Sequence, residues 1–281
     1  MPEILSRILV FILGGCIGSF LNVCIYRLPK DMSIVGPRSF CPHCKQPIRW
    51  YDNIPILSYF ILRGKCRACS AKISLRYPFV ELLTAIIFLV LYAHFGPCWN
   101  LAKYIFFFCF LVVVSFIDID YHAIPAYLCF LAIAVGLVFD IRATIHFLKV
   151  GTAHLDFKFL PIFKSLKALL FGLGFTYLFK LFGDIFISMY LALRKKESID
   201  GEKESLGLGD VDFMGVVGVF LGMKAVVFVF FLAPFFALLY SVAAMVFKKS
   251  HLIPYLPYLS LASVAMFFWG NHIIRFIGII F

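Results

Sequence analysis

Long apolar runs dominate this 281-residue chain and restrict it to an all-α, polytopic membrane fold. Hydrophobic residues make up 63% of the chain and charged residues only 15%, whereas a water-soluble domain is about half apolar and about a quarter charged. About 20 apolar residues span a bilayer as a helix. The pattern predicts about eight transmembrane helices, the sixth of them short and glycine-rich: Ile4–Ile25, Phe79–Phe95, Leu101–Ile117, Ile124–Phe139, Leu166–Leu193, Val211–Leu221, Ala225–Phe247 and Pro254–Phe281.

Basic residues concentrate between the first and second apolar runs. Residues 26–78 carry ten Lys and Arg side chains against two Asp, and basic loops remain on the cytoplasmic side of a membrane. The net charge of +11 follows mainly from this topology, and no further basic patch indicates nucleic acid. We expect a first transmembrane helix at 1–26, a cytoplasmic insert at 27–78 and a membrane domain at 79–281. The first run is long for a signal peptide and has no small-residue cleavage site, so no cleavable signal is expected.

The insert contains two Cys-x-x-Cys pairs, Cys41/Cys44 and Cys66/Cys69. Two such pairs are typical of a zinc ribbon, because each short spacer directs two thiolates at one ion and the two pairs complete a tetrahedron. Four reduced cysteines without metal and two disulfides are the alternatives, and a cytoplasmic location argues against the disulfides. Since four thiolates leave no open coordination position, we interpret the zinc as structural. An insert of about 50 residues has little core, so the metal would supply folding free energy.

Acidic residues lie at two boundaries between apolar runs. Asp118 and Asp120 end the third run and Pro125 opens the fourth, whereas Asp210 and Asp212 directly precede the sixth. With eight spans and a cytoplasmic insert, both boundaries lie at the cytoplasmic face. Asp118 and Asp210 can therefore meet at one depth if the helices that carry them pack together.

A pair of carboxylates at membrane depth indicates acid–base chemistry. Ionisable residues there are costly and usually functional. Two neighbouring carboxylates do not both ionise readily, which provides one base to activate water and one acid to protonate a leaving group. Gly207 and Gly209 before Asp210 allow a close approach of backbone, from a neighbouring helix or an extended substrate. For either cluster alone, ordinary interfacial carboxylates are the alternative.

Several motifs together resemble the prepilin peptidases, or type IV leader peptidases, of the GxGD class of membrane aspartic proteases. The resemblance covers nearly the whole chain and is carried by four segments: "GSFLNVCIYRLP" (Gly18–Pro29), "CPHC…CRAC" with "ISLRYPFVELL" (Ile73–Leu83), "DIDYHAIP" (Asp118–Pro125) and "GLGD" (Gly207–Asp210). In the first catalytic motif of this family an Asp precedes Ile-Pro by six and seven residues. Asp118 has that spacing and Asp120 does not. The resemblance implies Asp118 and Asp210 as the catalytic pair, with Pro125, Gly207 and Gly209 as supporting motif positions.

The resemblance also implies substrates, a second activity and a location. The substrates are prepilins and pseudopilins, cut after a Gly between a basic leader and an apolar helix at the cytoplasmic edge of the bacterial inner membrane. The second activity is methylation of the new N-terminus by S-adenosylmethionine. No soluble methyltransferase fold is evident, and "GGCIG" (Gly14–Gly18) lies within an apolar run, where close helix packing explains it better than cofactor binding. Cofactor-binding residues and oligomeric state are left unassigned.

Three further residues, Asn22, Glu81 and Asp212, leave alternatives open. Asn22 and Glu81 line the substrate path, hold the insert on the membrane helices, or form an interhelical hydrogen bond. Asp212 stands where the family commonly has Lys, which reverses a charge near Asp210 and makes an inactive family member one alternative. For the protein as a whole, the alternative function is that of an ion-coupled transporter or pilus-assembly platform, which would use the carboxylates for protons or cations.

Overall fold

The computed structural model describes residues 2–149, 160–194, 205–246 and 254–280. Within these ranges the chain contains no β-strand, and only two isolated bridges, both in the insert. The all-α prediction is therefore confirmed. The helices are α1 (Pro2–Arg27), α2 (Leu57–Ile61), α3 (Arg76–Phe95), α4 (Trp99–Tyr121), α5 (Ala126–Lys149), α6 (Pro161–Arg194), α7 (Leu208–Leu221), α8 (Met223–Val246) and α9 (Leu256–Ile280).

Six of the described helices are long and apolar enough to cross a membrane: α1, α3, α4, α5, α6 and α8. Each corresponds to a predicted span, and the other two predicted spans correspond to α7 and α9. Helix α7 has 14 residues, which at 1.5 Å per residue is about 21 Å, shorter than the hydrocarbon thickness of a typical bilayer. The chain is therefore a multi-pass membrane protein whose sixth apolar segment is a short helix.

The chain divides into two compact units, residues 1–122 and 123–281. The first unit contains α1, the insert, α3 and α4. Helices α1 and α3 approach closely at two glycines of α1, because a Cβ on Gly14 or Gly18 would lie 2.7 Å from a Cα of α3. These glycines serve helix packing, as predicted for "GGCIG". The division of the chain into a first transmembrane helix, an insert and a membrane domain, with boundaries after residues 26 and 78, stays a prediction.

The second unit is built around α7, which packs against α5, α6, α8 and α9. Glycines again bring the helices together. A Cβ on Gly172 of α6 would lie 2.4 Å from the carbonyl oxygen of Met214, and one on Gly218 of α7 would lie 2.2 Å from the carbonyl oxygen of Ala168. Nearly every residue of α7 from Asp210 to Phe220 is buried. This short helix is therefore the core of its unit, held at backbone contact with α6.

Candidate active site and metal centre

The four cysteines of the insert lie together as predicted. Their sulfur atoms are all within 4.8 Å of one another, and the sulfurs of Cys41 and Cys69 are 3.9 Å apart. A tetrahedron with Zn–S bonds of about 2.3 Å has sulfurs about 3.8 Å apart. The thiol set therefore fits a tetrahedral, thiolate-preferring metal with no large rearrangement.

Each Cys-x-x-Cys pair is shaped by the same local backbone. The N–H of Lys45 donates to the carbonyl oxygen of Cys41, and the N–H of Ser70 donates in the same way to Cys66. Lys45 and Ser70 both occupy the left-handed region, with φ of 60° and 58°. Two equivalent turns of this kind direct both pairs of sulfurs inward, which is the arrangement that the repeated spacing predicts.

The thiols of the second pair differ in acidity. Backbone N–H groups of Cys69 and Ala68 lower the pKa of the Cys66 thiol to about 7. For Cys69, a hydrogen bond from the N–H of Ala71 lowers the pKa, but desolvation and the neighbouring sulfurs outweigh it and raise the value to about 11. Cys66 is therefore the thiol that loses its proton more readily, and a cation bound among the sulfurs would favour the thiolate form of them all.

Polar side chains of α1 and α3 hold the insert. The carboxylate of Glu81 accepts a hydrogen bond of 2.7 Å from the N–H of Ile56, and the buried guanidinium of Arg27 donates to the carbonyl oxygens of Ser33 and Pro37 at 2.8 and 2.7 Å. These bonds settle one alternative in favour of attachment for Glu81. Asn22 instead forms an interhelical hydrogen bond, the third alternative, because its amide donates to the carbonyl oxygen of Tyr77 in α3 at 3.1 Å.

In the first unit, Asp118 and Asp120 lie in the last turn of α4 and have different surroundings. Asp118 is buried, with 5% of its surface exposed. Asp120 is more exposed and forms an ion pair with Arg76. A carboxylate near a helix C-terminus meets the negative end of the helix dipole, and ionisable residues buried in apolar helices are usually functional. Asp118 and Asp120 thus differ in exposure and in ion pairing, and the catalytic role of Asp118 stays a prediction.

In the second unit, Asp210 is buried near the N-terminus of a helix, whereas Asp118 lies near a C-terminus. Helix α7 begins at Leu208, so Asp210 is the third helical residue and 8% exposed. Its carboxylate accepts a hydrogen bond of 3.2 Å from the N–H of Gly207, whose carbonyl oxygen accepts one of 3.2 Å from the N–H of Asp210. This reciprocal arrangement satisfies two backbone groups at the helix start, and the positive end of the dipole favours the carboxylate.

The two glycines of "GLGD" have open space beside them. A Cβ on Gly209 would meet only Ile124, at 3.9 Å, and one on Gly207 would lie 3.6 Å from the carboxylate of Asp210. Neither glycine is therefore required for helix packing. Ile124 comes directly before Pro125, and the N–H of Leu128 donates to the carbonyl oxygen of Pro125 in the first turn before α5. Within the second unit, the end of "DIDYHAIP" therefore lies beside the start of α7.

An ionic cluster on α6, in which Lys180 is buried and Asp184 is partly exposed, holds the residues that precede Gly207. The ammonium of Lys180 in α6 donates to the carbonyl oxygen of Leu206 at 2.8 Å and pairs with Asp184 at 3.1 Å. Asp184 in turn accepts the N–H of Ser205 at 2.7 Å. Sequence reasoning missed this cluster, although a Lys and an Asp four residues apart in an apolar run are its visible signal.

The structure therefore brings the four predicted metal ligands together and buries both predicted catalytic aspartates. Asp118 belongs to the first unit and Asp210 to the second, and their pairing stays a prediction. The combination of several apolar helices, two buried carboxylates at helix ends and a four-thiol cluster is that of an integral membrane protein with buried acidic residues and an insert whose cysteines could hold a metal.

Comparison with known proteins identifies the family. Residues 12–95 match the Bacterial Peptidase A24 N-terminal domain, and residues 105–242 match the Type IV leader peptidase family. The chain is 31% identical to the prepilin leader peptidase/N-methyltransferase of Aeromonas hydrophila over 95% of its own length and 92% of that protein. This chain therefore belongs to the type IV leader peptidase family.

Other relatives agree in name and differ in coverage. The type 4 prepilin-like proteins leader peptide-processing enzyme of Escherichia coli is 33% identical over 90% of each chain. A prepilin leader peptidase/N-methyltransferase of Myxococcus xanthus is 47% identical over 121 residues, which is 43% of this chain and 36% of that protein. No solved structure matches the chain.

Proposed function

We propose that this protein is a membrane aspartic endopeptidase that removes the leader peptide of type IV prepilins and pseudopilins and then methylates the new N-terminus. The observation that carries the proposal is the burial of Asp118 and Asp210 at the ends of apolar helices in a chain that matches named prepilin leader peptidases over nearly its full length. The ion-coupled transporter reading has no comparable support among the relatives.

The proposed chemistry uses the two carboxylates as a base and an acid. One carboxylate, ionised, removes a proton from water as the water oxygen attacks the scissile carbonyl carbon. The other carboxyl group, which is protonated, donates its proton to the carbonyl oxygen. The two transfers together give a tetrahedral intermediate. The C–N bond then breaks, the leaving amine takes the proton held by the base, and the hydroxyl proton returns to the acid. Gly207 contributes by orienting the carboxylate of Asp210 through its N–H.

The proposed location follows from the basic insert and the family. We place the protein in the bacterial inner membrane, with the insert and both aspartates at the cytoplasmic face. A prepilin has a short basic leader followed by an apolar helix, so its scissile bond lies at that face. Carboxylates at helix ends can reach such a bond, whereas carboxylates near the middle of the bilayer could not.

We propose Zn²⁺ as the metal of the insert, with a structural role. The donor set is four thiols with tetrahedral spacing, which favours zinc over oxygen-preferring cations. The four ligands complete the coordination shell, so the ion has no open position for substrate. It would fix the two cysteine turns relative to one another.

For the methyl donor we propose a cavity of the first unit. The cavity measures about 720 Å³, lies between the insert, α1 and α3, and is lined in part by Asn22, Tyr26, Tyr59 and Glu81. Pockets of about 300–1,000 Å³ hold small ligands, and aromatic rings suit a sulfonium cation. When bound, S-adenosylmethionine would supply the methyl group. Val23→Phe, which adds volume to the lining, should weaken binding of S-adenosylmethionine by at least about 10-fold in calorimetry without loss of prepilin cleavage. Unchanged binding would contradict this placement.

The first experiment is cleavage of a prepilin by the purified protein in lipid. We expect the wild type to cut after the leader Gly, and Asp118→Asn and Asp210→Asn to lose at least about 10³-fold in rate, because each removes one half of the acid–base pair. Asp212 is two residues from Asp210, and residues i and i+2 do not face each other on a helix. Asp212→Asn should therefore keep activity within about 3-fold. A folded wild type that cuts nothing would refute the peptidase, and an ion-gradient assay would then test the transporter alternative.

A further inference from the structure

Lys180 is a buried cation in an apolar helix. It is 7% exposed and lies in α6, between Pro161 and Leu193, a helix segment apolar enough to cross a membrane. A charged residue at such a position is expensive and is retained where its partners have a function. The partners of Lys180 therefore indicate what the charge is for.

The contacts of Lys180 lead to the segment in front of α7. Its ammonium donates to the carbonyl oxygen of Leu206 at 2.8 Å and pairs at 3.1 Å with Asp184, one turn further along α6. The oxygen of Asp184 accepts the N–H of Ser205 at 2.7 Å and lies 2.8 Å from the Ser205 hydroxyl. The same hydroxyl lies 3.0 Å from the carbonyl oxygen of Lys180. One ion pair of α6 thus holds two consecutive residues by their backbones, and we name Lys180, Asp184 and Ser205 the α6 clamp.

The chain approaches α6 closely at the clamp. A Cβ on Gly183 would lie 2.5 Å from the hydroxyl oxygen of Ser205, a distance at which real side chains do not pack. Gly183 lies one residue before Asp184, on the helix segment that carries the clamp. The glycine and the ion pair therefore specify the same contact, in which Ser205 lies against the backbone of α6.

The clamp is one residue away from the group that orients Asp210. Leu206, whose carbonyl oxygen Lys180 binds, is joined by a peptide bond to Gly207, and the N–H of that same peptide bond donates to the carboxylate of Asp210 at 3.2 Å. A peptide unit is planar, so fixing its carbonyl oxygen fixes the direction of its N–H. Lys180 thus holds one side of a peptide plane whose other side aims the carboxylate.

We propose that Lys180 and Asp184 are positioning residues for peptide hydrolysis, which set the orientation of the Asp210 carboxylate through the Leu206–Gly207 peptide. This inference rests on the proposed peptidase function and adds residues that lie outside the two motifs. The clamp contacts no substrate and transfers no proton. Its effect should therefore appear in the rate of the chemical step rather than in substrate binding, because misplacement of a reacting group by about 1 Å can cost about 10²-fold in rate.

The test is the cleavage kinetics of Lys180→Met, Lys180→Arg, Asp184→Asn and Ser205→Ala beside wild type. We expect Lys180→Met and Asp184→Asn to lower kcat by about 10- to 100-fold with KM within about 2-fold. Lys180→Arg keeps a cation and a donor for the Leu206 carbonyl and should recover most of the rate. Ser205→Ala removes only the hydroxyl and leaves its N–H on Asp184, so a loss below about 10-fold is expected.

A matched control separates positioning from stability. Asp140 of α5 is 6% exposed and accepts a hydrogen bond of 2.7 Å from Ser165 of α6. The second unit therefore contains a second carboxylate–serine contact, which lies outside the clamp and is more deeply buried than that of Asp184, whose side chain is 31% exposed. Asp140→Asn should lower the melting temperature at least as much as Asp184→Asn, because Asp140 is the more buried carboxylate, but leave kcat within about 2-fold.

Three outcomes would overturn the inference. Clamp variants that lower kcat no more than Asp140→Asn does would make the clamp purely structural. A fall in rate that lies wholly in KM, or that Lys180→Arg does not restore, would also contradict it. Failure of the wild type to cleave would refute the proposed function instead, so the two failures are distinguishable in one series.

Discussion

The insert and helix α7 differ in how many of their residues are buried. Among residues 28–75 only Cys41, Ser58 and Gly64 are buried, and the segment contains one α-helix of five residues. Helix α7 has 14 residues, of which all but one from Asp210 to Phe220 are buried. The insert depends on short hydrogen-bonded turns around four sulfurs, whereas α7 depends on close contact with its neighbouring helices.

The difference shows how a site can be built by two physical means. Where little apolar surface is buried, a metal ion can supply the free energy that a core would provide. Within a membrane there is little hydrophobic driving force between helices, so close packing at glycines and buried polar contacts hold the helices together. Substitutions should therefore act on the two regions through different causes, and each region has a matched control.

Removal of the proposed zinc should have the largest effect. A structural zinc site of this kind contributes about 10–16 kcal/mol to folding, so chelation should expose the amides of the cysteine turns, such as those of Cys41 and Cys66, to hydrogen exchange. Amides of α7 should keep their protection. Mass-spectrometric exchange on peptides from both regions, with metal analysis of the same sample, measures this.

A cysteine comparison tests the same prediction without a chelator. Cys66→Ser removes one of the four ligands, whereas Cys98→Ser changes an exposed cysteine outside the cluster. Bound zinc should fall from about one per chain to near zero in the first variant and stay unchanged in the second. If the insert amides stay protected from exchange after complete loss of metal, the insert, like α7, does not depend on a metal for its structure, and the prediction is wrong.

Packing at α6 should give the next largest effect. A Cβ on Gly172 would lie 2.4 Å from the carbonyl oxygen of Met214, whereas nothing lies within 4 Å of the corresponding point on Gly174. Gly172→Ala should therefore destabilise the protein by about 1–3 kcal/mol through overpacking. Gly174→Ala on the same helix should be neutral or more stable by up to about 1 kcal/mol. Thermal unfolding in detergent measures both, and equal effects would contradict close packing as the basis of α7 stability.

Local patterns were sufficient to predict most of the architecture. Each apolar run became a helix in the expected order, and the Cys-x-x-Cys spacing predicted the cluster because two residues between thiols determine a tight turn. Helix limits were less predictable. Helix α7 begins at Leu208 rather than Val211, since Gly207 and Asp210 satisfy the helix start with their own polar groups, which a search for apolar residues does not detect.

The clamp was beyond local patterns for a different reason. Lys180 and Leu206 are 26 positions apart, and the partner of the Lys is a backbone carbonyl, which every residue has. No residue type marks such a partner in a sequence. The glycines at 172 and 218 are similar cases, because the sequence shows the missing side chain but not the carbonyl oxygen that takes its place. Long-range contacts of backbone atoms therefore had to come from the structure.

The smallest effect on stability, and the sharpest test of α7, is expected from Gly209→Ala. A Cβ there would meet only Ile124 at an ordinary contact distance of 3.9 Å, so folding should be unchanged or improved by up to about 1 kcal/mol. If the glycine leaves room for an extended substrate beside Asp210, prepilin cleavage should nevertheless fall by about 10-fold or more. Gly172→Ala is the opposite case, a variant that loses stability through packing. Full cleavage by a stable Gly209→Ala variant would show that the first turn of α7, unlike the middle of the helix, does not require glycine. The space beside Asp210 would then have no part in substrate approach.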